Sequence, residues 1–349
     1  MRLSWAALAV CVPVFAAPTP PDKLTGPQPW LETTQLPAGD RVGQCVFDGD
    51  DASSYKSVGP AKSGDAVTIE LSEAVAINEL TALTGEPDGS GKLAAGVLEV
   101  SADGKAWEEV AKVEDGRAKA ALAGRKALAL RLRVTADATD PLTVRELWLS
   151  SSPAVPRYSY PLDLIVDCQA ADLKDWSVGM RRTVMTWWPF FCELFASDGH
   201  RPTRRIDMDI KEQDGVAATG GTHITGAAQW FRAHRDDVGA MIHESIHVIQ
   251  RYPRYDPVWL VEGLTDWGRW WNYEALERRP RARAGGSYRD SYQRTGAFLD
   301  WLERHRAPGF CVKMNAAMRR NQYKPELWQQ WTGADLDALW AEYQASFAK

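Results

Sequence analysis

Residues 241–271 read MIHESIHVIQRYPRYDPVWLVEGLTDWGRWW, and the five residues His243-Glu244-Ser245-Ile246-His247 decide how the C-terminal half folds. Histidines at i and i+4 of a helix project from one face about a turn apart. That spacing suits two corners of a tetrahedral zinc site, with Glu244 placed as general base toward a water at the metal. Downstream, Glu262-Gly263-Leu264-Thr265-Asp266 supplies Glu262 as third ligand, which completes a His2Glu set with one position open. Asp266 lies one helical turn further on, where a carboxylate orients a ligand histidine by accepting its second N–H. The alternative exchanges these two acids and makes Asp266 the ligand. A plainer alternative packs both histidines in a core beside a solvated glutamate. A carboxylate in the right order to be the third ligand weighs against it, and the pattern implies a zinc hydrolase.

The chain has 349 residues, enough for two domains that each bury a core. Its net charge of -5 argues against a nucleic-acid partner, since the total implies no basic face. Arg278, Arg279, Arg281 and Arg283 form a local basic run, read as a solvated loop because Pro280 and Gly285-Gly286 interrupt it. The opening MRLSWAALAVCVPVFAAPTPP has one early positive charge and an apolar stretch from Trp5 to Ala17. It predicts a signal peptide over residues 1–16, with Val14 and Ala16 at the −3 and −1 positions, and export to a secreted or periplasmic location. The stretch is too short for a membrane anchor, and no later one is long enough to span. Val10 stands before Cys11 where a lipoprotein signal wants a small residue. Cys45, Cys168, Cys192 and Cys311 then remain for an oxidising compartment. Three pairings are open, at least one bridge is expected in the second half, and no spacing fits a zinc–thiolate cluster.

Pro, Thr and Gly mark residues 17–39 as an extended linker. From 40 to 151 short apolar alternations are separated by turn residues: Ala66–Leu71, Gly96–Ser101 and Leu128–Val134, with turns at Glu86-Pro87-Asp88-Gly89 and Ala102-Asp103-Gly104-Lys105. Period-two alternation at this spacing predicts an antiparallel β-sandwich. Prolines at 153, 156 and 161 place a hinge over 152–161. Beyond it, in residues 162–349, strands are predicted at Leu162–Asp167 and Arg205–Ile210, and helices over Trp176–Ala196, from Asp236-Asp237 through the histidine motif, over Tyr288–Arg306 and over Ala334–Ala348. Thr222–Thr225 reads as a sheet edge to which an extended peptide adds as a strand, and His223 as structural or substrate-side. Trp187, Trp188, Trp267, Trp270 and Trp271 read as core.

The segments Val97–Trp107, Leu130–Val134 and Val144–Leu147, with Phe47-Asp48-Gly49-Asp50-Asp51, resemble a discoidin domain of the coagulation factor 5/8 C-terminal type. The resemblance implies a jelly roll of the galactose-binding-like class used for carbohydrate or surface attachment. It also implies a structural Ca2+ near the Asp-Gly-Asp turn, with oxygens from Asp48 and Asp51; a surface turn without metal is the alternative. No sugar-contacting residue carries over.

The segments Asp237–Glu244, His247–Gln250, Trp259–Asp266 and Tyr292–Trp301 resemble the plant basic secretory protein family and its bacterial relatives, which look like zincin-type metallopeptidases. The resemblance implies a zincin-like α+β domain with a gluzincin-like site and one Zn2+. It offers Tyr292 as oxyanion donor, against packing on Phe298 and Trp301. The expected protein is multidomain α+β: a secreted zinc metallopeptidase acting on protein or glycoprotein, with a sandwich for glycan or surface attachment. Its rivals are a non-catalytic binding protein with a metal-stabilised zincin fold and a zinc amidase acting on glycopeptide or peptidoglycan.

Overall fold

A computed structural model describes residues 26–348; the signal-peptide expectation lies outside the described residues. Strands β1 (Pro29–Thr33), β2 (Tyr55–Pro60), β3 (Ala66–Thr84), β4 (Gly96–Ser101), β5 (Glu108–Lys112), β6 (Arg117–Val134) and β7 (Pro141–Ser152) form the N-terminal β-sandwich. All pair antiparallel in the order β2-β7-β3-β6-β4-β5, with β1 added on β3. Strands β3 and β6 run 19 and 18 residues. Register shifts between Glu70 and Val75 and between Ile77 and Glu79 let them bend, so one hydrogen-bonded sheet folds over a single core. Val67, Ile69 and Leu71 point into that core while Thr68 and Glu70 are half-buried between them. This is the alternation the sequence predicts.

Two expectations about the sandwich's flanks are corrected. The supposed linker contains β1, whose Leu31 is buried in the core and which pairs with β3 from Pro29↔Leu71 to Thr33↔Val67. The supposed hinge is packed as well: Tyr158 is buried in the same core, meets Phe47 edge-on, and donates its hydroxyl to the Pro29 carbonyl at 2.9 Å. Proline content hid both, because φ restriction is compatible with extended chain at a sheet edge.

Strands β8 (Asp163–Cys168), β9 (Arg205–Lys211), β10 (Ala217–Gly220) and β11 (His223–Ala227) form a second sheet, ordered β10-β11-β9-β8. Here β8, β9 and β11 run parallel and β10 returns antiparallel. The Thr222–Thr225 segment is therefore interior, and the edge strand is β10. A hairpin through Gly221, at φ 66°, folds β10 outside β11. The helices are α1 (Lys174–Leu194), α2 (Ala228–Ala233), α3 (Gly239–Gln250), α4 (Val258–Asp266), α5 (Tyr292–His305), α6 (Phe310–Arg319), α7 (Glu326–Thr332) and α8 (Leu336–Ala345). Helix α4 runs on into a π-helical turn, Trp267–Tyr273. Among the described residues no helix is long and apolar enough to cross a membrane.

Helix α1 carries Arg181 and Arg182, which reach Glu32 and Glu70 of the sandwich, and Thr186 accepts from Trp30 Nε1 at 3.3 Å. The α5–α8 region packs on rings: Phe298 stacks against Trp301 and Trp328, and Phe310 lies 4.7 Å from Trp328. Trp188, Trp267 and Trp271 are buried, as expected of core residues. The expected disulfide is not formed: among the described residues no bridge joins any two of Cys45, Cys168, Cys192 and Cys311. Cys45, Cys192 and Cys311 are each buried, in separate elements, and burial as a small side chain is a common role for cysteine.

Candidate metal centre

Helix α3 buries Met241, Ile242, Ile246 and Ile249, and this fixes the rotation that sends the two histidines to another common face. His243 is 7% exposed. Its Nε2 lies 3.1 Å from His247 Nε2, with the rings steeply inclined at 80°. Two nitrogens bound to one tetrahedral zinc at about 2.0–2.1 Å stand roughly 3.3 Å apart. The imidazoles thus already hold the separation such an ion requires.

Glu244, between them in sequence, is buried, and its Oε2 accepts from Thr219 Oγ1 at 2.7 Å. Thr219 also lies 3.0 Å from the Glu244 main-chain carbonyl, so it clasps the residue at both ends. It comes from the edge strand β10, and no local sequence signal points to it. Glu262 is buried on α4 and accepts a short hydrogen bond from the hydroxyl of Tyr255, whose side chain is half exposed. No local sequence signal points to Tyr255 either, although it lies only seven residues before Glu262. One donor atom each from His243, His247 and Glu262 lie within 4.8 Å of one another. That His2Glu set fits zinc. Residues 177–343 match the BSP family, a peptidase of plants and bacteria.

In the BSP region α4 is held close to α5 by glycines. A Cβ on Gly263 would meet Thr295 Cγ2 at 2.2 Å, and one on Gly296 would meet Trp271 Cζ3 at 2.8 Å. The helices approach at that distance only without side chains there, and the residue beside Gly263 is Glu262. Asp266 ends α4 and is 3% exposed. Tyr292 opens α5 and is 54% exposed, with Ser291 and Tyr292 at φ 63° and 48°. Core packing on Phe298 and Trp301 does not describe it. His223 lies outside the three-residue group; its Nε2 is 3.2 Å from Asp209 Oδ2.

A second polar cluster sits in the sandwich at the Asp48-Gly49-Asp50 turn. Glu146 on β7 is fully buried; its Oε2 accepts from the Gly49 N–H at 3.2 Å, and its Oε1 has no partner. Burial, then the neighbouring charge of Asp48, push its carboxyl up to about 8. Asp48 is also raised by burial, although the Asp50 N–H and the Ser53 hydroxyl donate to it. An orphaned carboxylate oxygen beside a second acid fits a hard cation with oxygen ligands. Glu146 carried no sequence signal as a site residue.

Among curated proteins none matches the chain. Among solved structures, the sandwich is similar to CBM32-1 from a family 31 glycoside hydrolase of Clostridium perfringens, at 18% identity and TM-score 0.31, covering 35% of this chain and 92% of that one. It is similar also to CBM32-3 from such an enzyme of the same organism, at 20% identity and TM-score 0.28, covering 35% and 90%. A chitosan-binding module from the chitosanase/glucanase of Paenibacillus sp. IK-5 gives 14% identity and TM-score 0.31, covering 35% and 93%.

Proposed function

We propose that the protein is an exported, zinc-dependent peptidase with a sandwich domain that attaches it to a glycan or a surface. The observation that carries the catalytic part is the pair of imidazole nitrogens 3.1 Å apart on α3, with Glu262 completing a His2Glu donor set. A zinc ion held by His243, His247 and Glu262 would supply Lewis acidity and bring the pKa of a water ligand toward neutrality. Glu244 takes the proton of the attacking water and returns it to the leaving amine. Thr219 restrains that carboxylate from the edge strand, whose unpaired side accepts an extended peptide as a further strand. Tyr292 donates to the oxyanion, and Asp266 orients a ligand histidine.

A protein that kept this metal only for stability would have no use for a buried carboxylate clasped beside it, so Glu244 favours the enzyme over the binding-protein rival. In the sandwich we assign Glu146 and Asp48 as oxygen donors to a structural calcium, supported by the orphaned Glu146 Oε1. Attachment to carbohydrate rests on the discoidin resemblance alone.

Digestion of a denatured protein mixture, with cleavage sites read by mass spectrometry, tests the catalytic reading. Wild-type protein should cut, chelator should stop it, and Glu244→Gln should be inert. Wild type with full zinc and no more cleavage than Glu244→Gln would refute it.

A further inference from the structure

The loop between the π-helical turn and α5 is read from sequence as a solvated basic run, but its arginines differ in what they hold. Glu274, buried, is paired with Arg278 at 3.0 Å and lies 3.7 Å from Arg269. Asp290 is paired with Arg294 at 3.0 Å. Arg281 and Arg283 are exposed and have no carboxylate within pairing distance among the described residues. Both line one cavity of about 350 Å³ together with Arg294, Gln293 and Tyr343.

That loop is strapped in place. The Gly285 N–H donates to Gln344 Oε1, and Arg294 Nη1 donates to the Gly285 carbonyl. Gly286, at φ 73°, leaves room for the Arg294 guanidinium, which a Cβ there would meet at 2.4 Å. Three guanidinium groups therefore line a fixed cavity, two of them uncompensated, in a chain whose net charge is -5. Planar guanidinium forks match carboxylates bidentately, and each such bond is charge-assisted. Buried Tyr343 and Ala297 give the cavity an apolar floor against which the methylenes of a glutamate side chain pack.

We infer that this cavity is an anion-recognising subsite for acidic side chains of a polypeptide substrate. The assignment rests on the peptidase reading, since the same helix α5 begins with Tyr292. It predicts preference for substrates carrying Glu or Asp to one side of the cut.

Binding can be read without turnover. Fluorescence anisotropy of a labelled oligoglutamate peptide against intact Glu244→Gln protein should show saturable binding that weakens with salt. An oligolysine peptide of equal length should not bind. Arg281→Gln with Arg283→Gln should weaken oligoglutamate binding at least 10-fold with an unchanged melting temperature. Arg320→Gln, which removes an exposed arginine paired with Asp198, should leave it within about twofold, the size expected of one screened surface charge. Absence of oligoglutamate binding at low salt overturns the inference, as does equal loss with Arg320→Gln. Tighter binding of an oligouronate than of oligoglutamate also overturns it, in favour of an anionic glycan. Failure of the peptidase reading is separate, since it shows as absent chelator-sensitive cleavage whether or not the peptide binds.

Discussion

Replacing Glu146 by Gln should flatten the pH dependence of the sandwich's stability and remove its response to calcium. The folded-state carboxyl lies at about 8, raised by burial and by Asp48, whereas an unfolded glutamate titrates near ~4.3. Between those values the folded protein binds more protons than the unfolded chain, so stability falls as pH rises. The protonated form's advantage is whole below about 4.3 and spent once the pH has passed about 8. One unit is worth about 1.36 kcal/mol, so the cost is roughly 3–4 kcal/mol at pH 7 and on the order of 5 kcal/mol well above pH 8. At roughly 4 °C per kcal/mol for a domain of this size, the transition should drop by on the order of 10 °C between pH 5 and pH 8. Thermal unfolding of the full chain, in calcium-free buffer supplemented with zinc, measures it. Calcium should restore the loss at pH 8, where binding favours the ionised carboxylate, and do little at pH 5. The Gln variant should show neither the drop nor the rescue. A wild-type transition that is flat from pH 5 to pH 8, or equal calcium rescue of the variant, refutes the reasoning.

Glu244→Gln should keep its zinc and fold while losing about 10²–10⁴-fold in turnover, read on a chelator-sensitive peptide; Tyr292→Phe should lose roughly 10–100-fold in kcat. Glu262→Gln should cut zinc affinity sharply in metal titration, with Asp266→Asn costing less, on the order of 10–100-fold. Full zinc occupancy in the Glu262 variant would move the ligand role to Asp266. Gly263→Ala forces a methyl to within 2.2 Å of Thr295 Cγ2, so it should cost about 1–3 kcal/mol and loosen zinc together with stability. An unchanged melting temperature there would show that α4 and α5 separate freely.

The sandwich was legible where strands face water on one side. In β3, Val67, Ile69 and Leu71 alternate with half-buried polar residues, and that alternation survives in the structure. Its flanks were not legible. Pro29–Thr33 and Tyr158 lie in proline-rich sequence, and only pairing with β3 and contact with Phe47 make them structural. Strand β10 is illegible in the sequence for a similar reason. It has four residues and no fully buried position, so its existence depends on β11 beside it. Cysteine pairing is not legible either, because an even count in an oxidising compartment says nothing of whether any two side chains meet.

The contrast within the site follows the same division between local and long-range causes. A histidine pair at i and i+4 is written into five residues of helix, and α3 by itself delivers the 3.1 Å separation. Placing Glu262 needs more. Helix α4 must settle against α5 at a distance that Gly263 and Gly296 permit, and the sequence shows those glycines without showing what they face. Thr219 belongs to the long-range class entirely, since it meets Glu244 across 25 residues through a hairpin. The sequence motif therefore contains the proposed metal donors and Glu244 but not the hydroxyl that restrains Glu244. Thr219→Val tests whether that restraint matters. If the hydroxyl only fills space, the isosteric variant turns over like wild type. If it holds the base in line, kcat falls while zinc affinity and KM stay put, by about 10-fold for a charge-assisted bond worth about 1.5 kcal/mol.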